Sequence, residues 1–100
     1  MYGTVARMRV KPGMGAQLEQ LSSEYESLDV DGHVATYVFK LDAGPDDYYL
    51  IAIFRDRESY TTNAGNPAQD ARFRRMREVL ADDPKWHDGE VAWSMVRPSA

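Results

Sequence analysis

A chain of 100 residues has room for one domain, and a domain of that size buries only about two thirds of the surface that its unfolded chain exposes, so self-association is an expected source of further burial. Sixteen acidic residues against twelve basic ones give a net charge of -4, which disfavours a nucleic-acid partner, while 43% hydrophobic and 28% charged residues match an ordinary soluble globular protein. No apolar run approaches the ~20 residues of a membrane span, no secretory signal opens the chain, and the absence of cysteine fits a reducing cytoplasm.

Tyr2 to Lys11 alternates as a strand, with Tyr2, Thr4, Ala6, Met8 and Val10 on one face and Val5, Arg7 and Arg9 on the other. Pro12-Gly13 ends it. Met14, Leu18, Leu21, Tyr25 and Leu28 then recur on one helical stripe that should bury against a sheet, until Asp29-Val30-Asp31-Gly32 breaks the pattern. A second strand is expected from about His33 to Leu41, with His33, Ala35, Tyr37, Phe39 and Leu41 on one side. The turn formers Asp42 to Asp47 lead into Tyr48 to Phe54, a near-continuous apolar run that reads as a central strand with Tyr48 and Tyr49 on opposite faces.

Asp56 is placed to cap a short helix that runs through Asn63 and stops at Gly65. Asn66-Pro67-Ala68-Gln69 supplies a cap, a proline at the first helical position and a glutamine at the third, which starts another helix running to about Leu80 with Phe73, Met76 and Leu80 buried. After Asp82-Asp83-Pro84, the alternation of Val91, Trp93 and Met95 with Ala92, Ser94 and Val96 marks the last strand. The order is β-α-β-β-α-β, with a helical pair in the second helical slot. It predicts an α+β, ferredoxin-like fold of residues 1–100, an antiparallel sheet with its helices on one face and no internal linker or repeat.

Three segments give the chain a resemblance to the antibiotic biosynthesis monooxygenase family: Val10-Lys11-Pro12-Gly13, Ile53-Phe54-Arg55-Asp56-Arg57-Glu58-Ser59-Tyr60, and Asp83-Pro84-Lys85-Trp86-His87-Asp88-Gly89-Glu90-Val91. The resemblance implies the dimeric α+β barrel. It also implies either oxygenase chemistry on aromatic molecules without metal or flavin, or, in another branch, haem binding. The haem branch implies an Asn, a Trp and a ligating His at positions that fall here on Ala6, Asn63 and Phe73. None is present, and a phenylalanine offers iron no lone pair, so no cofactor is expected. Asn63 replaces the aromatic residue or His common at its position, and His33 stands where Phe is frequent.

A cofactor-independent oxygenase needs a dry apolar pocket, a base near an acidic position of the substrate, and donors for the developing oxyanion. Imidazole titrates near neutrality, which makes His33 the candidate base, and the Asn63 amide is the candidate orienting group. Each has an ordinary structural role open to it, a surface imidazole at a strand start and an amide near a helix end. Tyr37, Phe39, Phe73, Met76 and Trp93 are the expected substrate-contacting residues, and no metal-ligand spacing occurs. Trp86-His87 is expected at a subunit interface or helix end, and Arg72, Arg74, Arg75 and Arg77 as a solvated face with an Arg74 to Glu78 pair. The leading expectation is thus a cytoplasmic homodimer that oxidises a planar aromatic small molecule. A non-catalytic small-molecule-binding module and a dimer with no enclosed ligand site are the alternatives.

Overall fold

The computed structural model describes residues 1–98, so the last two residues of the expected domain lie outside it. The elements follow in the order β1 (Tyr2–Arg9), α1 (Gly15–Ser23), β2 (His33–Lys40), β3 (Asp47–Phe54), α2 (Arg57–Ala64), α3 (Pro67–Arg77) and β4 (Lys85–Glu90). The strands form one antiparallel sheet in the order β2-β3-β1-β4, the ferredoxin-like α+β arrangement. One face of β1 is buried beneath the helices while Val5, Arg7 and Arg9 on the other are exposed.

Local chemistry sets the boundaries of these elements. Gly13 takes a φ of 78°, a left-handed conformation that glycine adopts without a Cβ clash, and Met14 N–H closes the Pro12-Gly13 turn on Lys11 C=O at 2.9 Å. At the start of α2 the Asp56 carboxylate accepts from Ser59 N–H at 2.8 Å, and Ser59 Oγ in turn accepts from Asp56 N–H at 3.4 Å. Asn66 Oδ1 caps α3 by accepting from Ala68 N–H at 2.9 Å, with Pro67 in the first turn. The last helix stops at Arg77, short of Leu80, because the backbone of Val79–Ala81 turns to pair with the end of β1. Lys11 N–H reaches Val79 C=O at 2.9 Å, Ala81 N–H reaches Arg9 C=O at 2.8 Å, and Leu80 stays fully buried.

The core lies between the sheet and α1 and α3. Met8 and Val10 from β1, Leu18 from α1, Tyr48 and Leu50 from β3, and Met76, Val79 and Leu80 pack there, with Met14 and Leu21 at its margin. Leu28, at the far end of the expected α1 stripe, is exposed instead, because a short 3-10 turn over Glu24–Ser27 ends the helix before it.

Two strand expectations are corrected. A bulge separates His33 from Ala35: His33 pairs with Phe54, Ala35 with Ile53, and Val34 is the extra residue. The extra residue reverses parity, so His33 faces the helices while Tyr37 and Phe39 lie on the open face, 58% and 57% exposed. Likewise β4 is Lys85–Glu90 rather than the segment around Val91 to Val96. Its pairing with β1 ends at Tyr2 and Glu90, and Val91 N–H makes one more bond to Met1 C=O at 2.9 Å. Among the described residues no neighbouring strand lies beyond that point, and Trp93, Met95 and Val96 run on exposed.

Leu18→Ala removes a fully buried side chain from the centre of this core and should lower the urea-unfolding free energy by about 2–5 kcal/mol with little change in the slope of the transition. A loss well under 1 kcal/mol would place the core elsewhere.

Candidate functional site

A cavity of about 410 Å³ opens between the sheet and the helices, within the usual range for small-molecule sites. Its floor is the helix-facing surface of all four strands. Leu50, Ala52 and Phe54 come from β3, Thr4 from β1, His33 and Thr36 from β2, and Trp86 and Asp88 from β4. Tyr60 and Asn63 of α2 and Gln69, Phe73 and Met76 of α3 form the roof, with Tyr25 and Val30 at the side.

Of the seven residues expected at the site, His33, Asn63, Phe73 and Met76 line this cavity. Tyr37 and Phe39 do not, because the bulge at Val34 turns them to the other side of the sheet. Trp93 also lies outside, 78% exposed in the tail beyond β4. The tryptophan in the cavity wall is Trp86, which shares the helix-facing side with its partner Ala6 and packs its ring 5.9 Å from that of Phe73. His87, one residue on, pairs with Val5 and points to the open face.

The imidazole of His33 is held on two sides. Its Nε2 lies 2.6 Å from Thr36 Oγ1, and its ring meets Phe54 edge-on with centroids 5.4 Å apart. Asn63 sits at the last turn of α2, where its backbone carbonyl accepts from Asn66 N–H at 3.0 Å, while its side-chain amide makes no hydrogen bond among the described residues. At the side of the cavity Tyr25 Oη donates to Gln69 Oε1, Arg72 donates to the same oxygen at 3.0 and 3.1 Å, and the Arg72 guanidinium stacks 5.2 Å above the Tyr25 ring. Gln69 therefore ties the end of α1 to α3 instead of capping α3.

The other arginines of α3 are spent on surface ion pairs. Arg75 meets Glu24 at 3.0 Å and Arg77 meets Asp83 at 2.6 Å, and Arg74 pairs one turn back with Asp70 at 2.8 Å rather than forward with Glu78. Within the cavity, Tyr60 Oη donates to Asp88 Oδ1 at 2.9 Å. Burial first, and then this bond, push the Tyr60 phenol up from 10.0 to about 12. Tyr60, Thr4 and Asp88 are not among the residues the sequence points to for the site, and Trp86, expected at a subunit interface or helix end, lines the cavity. The signal is present for Thr4, which shares the buried parity of Ala6 and Met8, whereas Trp86 and Asp88 belong to a strand that the sequence places later in the chain.

The residues do not fit a haem. The α3 position that the resemblance assigns to an axial ligand holds Phe73, whose ring packs on Trp86 and has no lone pair for iron, and His33 lies on the sheet instead. Among the described residues no three His, Asp or Glu side chains gather as a metal site, and no helix is long and apolar enough to cross a membrane.

The Tyr60 shift gives stability a defined alkaline dependence. A phenol whose folded pKa is raised keeps its contribution below pH 10 and loses it as pH climbs through about 12. Urea-unfolding free energy should therefore fall more steeply between pH 10 and 12 in the wild type than in Tyr60→Phe. Parallel pH profiles would show that Tyr60 is not held in this way.

Comparison with known proteins agrees with this architecture. Several solved structures share the fold across nearly the whole chain. A protein assigned as an antibiotic biosynthesis monooxygenase from Chloroflexus aurantiacus superposes with a TM-score of 0.79 at 20% identity, covering 95% of this chain and 96% of its own. A variant of SnoaB, a cofactor-independent oxygenase from Streptomyces nogalater, gives 0.81 at 13% identity, with 96% and 97% covered. A protein from Bordetella bronchiseptica with the same assignment as the first gives 0.79 at 16% identity, with 92% and 97% covered. No curated protein matches the chain in sequence. The family model described as antibiotic biosynthesis monooxygenase matches residues 1–80, which include every strand and helix that builds the cavity except β4, and the chain belongs to that family.

Proposed function

We propose that this protein is a cofactor-independent monooxygenase acting on a planar aromatic small molecule, and that it works in the cytoplasm as a homodimer of one-domain subunits. The observation that carries this reading is a mainly apolar cavity of about 410 Å³ with one imidazole, His33, turned into it and braced against Thr36. Phe54, Phe73, Met76 and Trp86 provide flat apolar contacts for rings, and Asn63 offers an uncommitted amide. The SnoaB likeness supports the class of chemistry at the level of fold.

His33 takes a proton from the acidic methylene carbon of an anthrone-like substrate, leaving a resonance-stabilised anion. That anion gives one electron to dioxygen, the resulting radical and superoxide combine, and protonation yields a hydroperoxide. Loss of the remaining proton from the same carbon breaks the O–O bond and releases water, so that a methylene plus O₂ becomes a ketone plus H₂O. Asn63 orients the substrate oxygen and donates to it as negative charge develops.

The open sheet face supports the dimer. Val5, Ile51 and Tyr37 lie in one cross-strand row and Arg7, Tyr49 and Phe39 in the next, none of them covered by a helix. A second copy packed face to face about a two-fold axis would cover these rows, and it would also give the apolar tail something to pack against.

Oxygen uptake with an anthrone-like substrate should proceed after exhaustive chelation and without added flavin, and His33→Ala should slow it by roughly 10²–10⁴-fold. Ligand-induced stabilisation with no oxygen uptake across a broad panel of oxidisable aromatics would leave a binding module and remove the enzyme. Ile51→Asp, a charge in the middle of the open face, should convert a sedimenting dimer to monomer or prevent folding. A wild-type protein that sediments as a monomer at micromolar concentration would refute the assembly.

A further inference from the structure

The floor of the cavity carries a polar band that the chemistry at His33 does not use. Thr36 pairs with Ala52, Ala52 with Thr4, and Thr4 with Asp88, so these four residues form one row across all four strands, and all four line the cavity. The His33–Thr36 contact stands at one end of the row. At the other end Tyr60 Oη donates to Asp88 Oδ1 at 2.9 Å. The two ends are three inter-strand spacings apart, about 14 Å along the sheet. Between them Thr4 is only 3% exposed and its Oγ1 has no hydrogen-bond partner, while Ala52 adds little bulk above the floor. Apolar residues flank the band on both sides, Phe54 in one direction and Leu50, Ala6 and Trp86 in the other.

The geometry points to Tyr60 and Asp88, with Thr4 beside them, as a station that reads a hydroxyl group on the end of the ligand remote from His33. This assignment rests on the reading of the cavity as an aromatic small-molecule site. The hydrogen-bond accounting sets its chemistry: the one proton of Tyr60 is committed to Asp88, so the lone pairs of the phenol and the second carboxylate oxygen are left as acceptors. At Tyr60 and Asp88 a ligand group must therefore donate. A phenol or enol hydroxyl does so, whereas an ether or a bare ring edge does not and gains nothing from the second carboxylate oxygen. The raised Tyr60 pKa keeps the phenol protonated at ordinary pH, so this polarity is fixed.

Binding of 2,6-dihydroxynaphthalene and of 2,6-dimethoxynaphthalene, titrated calorimetrically, tests the station. Asp88→Ala should weaken the dihydroxy compound about ten- to a hundredfold, the usual worth of a hydrogen bond to a charged acceptor, and change the dimethoxy compound by no more than about twofold. Asp88→Asn, which keeps an acceptor oxygen without the charge, should lose less than Asp88→Ala. If Tyr60–Asp88 is merely a clip between α2 and β4, Asp88→Ala weakens both ligands together, and that result overturns the assignment while leaving the aromatic site standing. Failure of the wild type to bind either naphthalene overturns both.

Discussion

With every helix on one side of a four-stranded sheet, the parity of each strand residue decides whether it meets the helices or the open face. Ala6, Met8 and Val10 go in and Val5, Arg7 and Arg9 go out without exception. The central strands cannot satisfy this rule by becoming polar outside, because Tyr49, Ile51 and Ile53 remain apolar on the open face of β3. The same constraint therefore creates two surfaces: an internal floor that lines the cavity, and an external face that carries Val5, Tyr37 and Phe39 exposed beside Tyr49, Ile51 and Ile53.

The cavity persists because the layer over the sheet is not closed evenly. Leu18, Leu80 and Val79 pack tightly over the half of the sheet near Met8 and Val10. Over the other half the roof is α2, a short helix whose ends are fixed by Asp56 and Gly65, and α3, which begins at Pro67. Between them stand side chains that reach down to the floor, Tyr60 bonding Asp88 through its hydroxyl and Phe73 packing its ring against Trp86. Tyr60 meets Phe54 at 5.7 Å and Tyr2 at 5.3 Å, and Phe54 meets His33, so one wall of the cavity is a chain of edge-on aromatic rings that runs from the Tyr60 end to the imidazole.

The fold and the starts of the helices were legible because they rest on local signals that tertiary contacts did not override, whereas α1 and α3 end earlier than their apolar stripes suggest. The Asp56 and Asn66 caps, the Pro12-Gly13 turn and the apolar run of β3 each act within a few residues. What could not be read depends on pairing partners. Nothing in His33-Val34-Ala35 marks a bulge, which arises where β2 must keep register with β3, and one extra residue moved His33 into the site and Tyr37 and Phe39 out of it. Strand β4 was hidden for a different reason. As an edge strand with every residue exposed and an Asp88-Gly89 pair in its middle, it reads as a turn, whereas Val91 to Val96 alternates well but has run past the end of β1.

Unsatisfied polar atoms separate function from structure within the fold. Tyr48 Oη and Thr4 Oγ1 are both buried without partners, and each such hydroxyl costs about 1–3 kcal/mol if nothing meets it. Tyr48 belongs to the packed core, where its ring is needed and its hydroxyl comes with it. Thr4 has no such excuse, since a valine would fill nearly the same space on a strand that already prefers β-branched residues. Its hydroxyl lies on the cavity floor, in the row that joins the His33 end to the Tyr60–Asp88 end. There a ligand oxygen that reaches the row would turn a cost to folding into a gain on binding, which is how a small domain keeps a polar group in its interior.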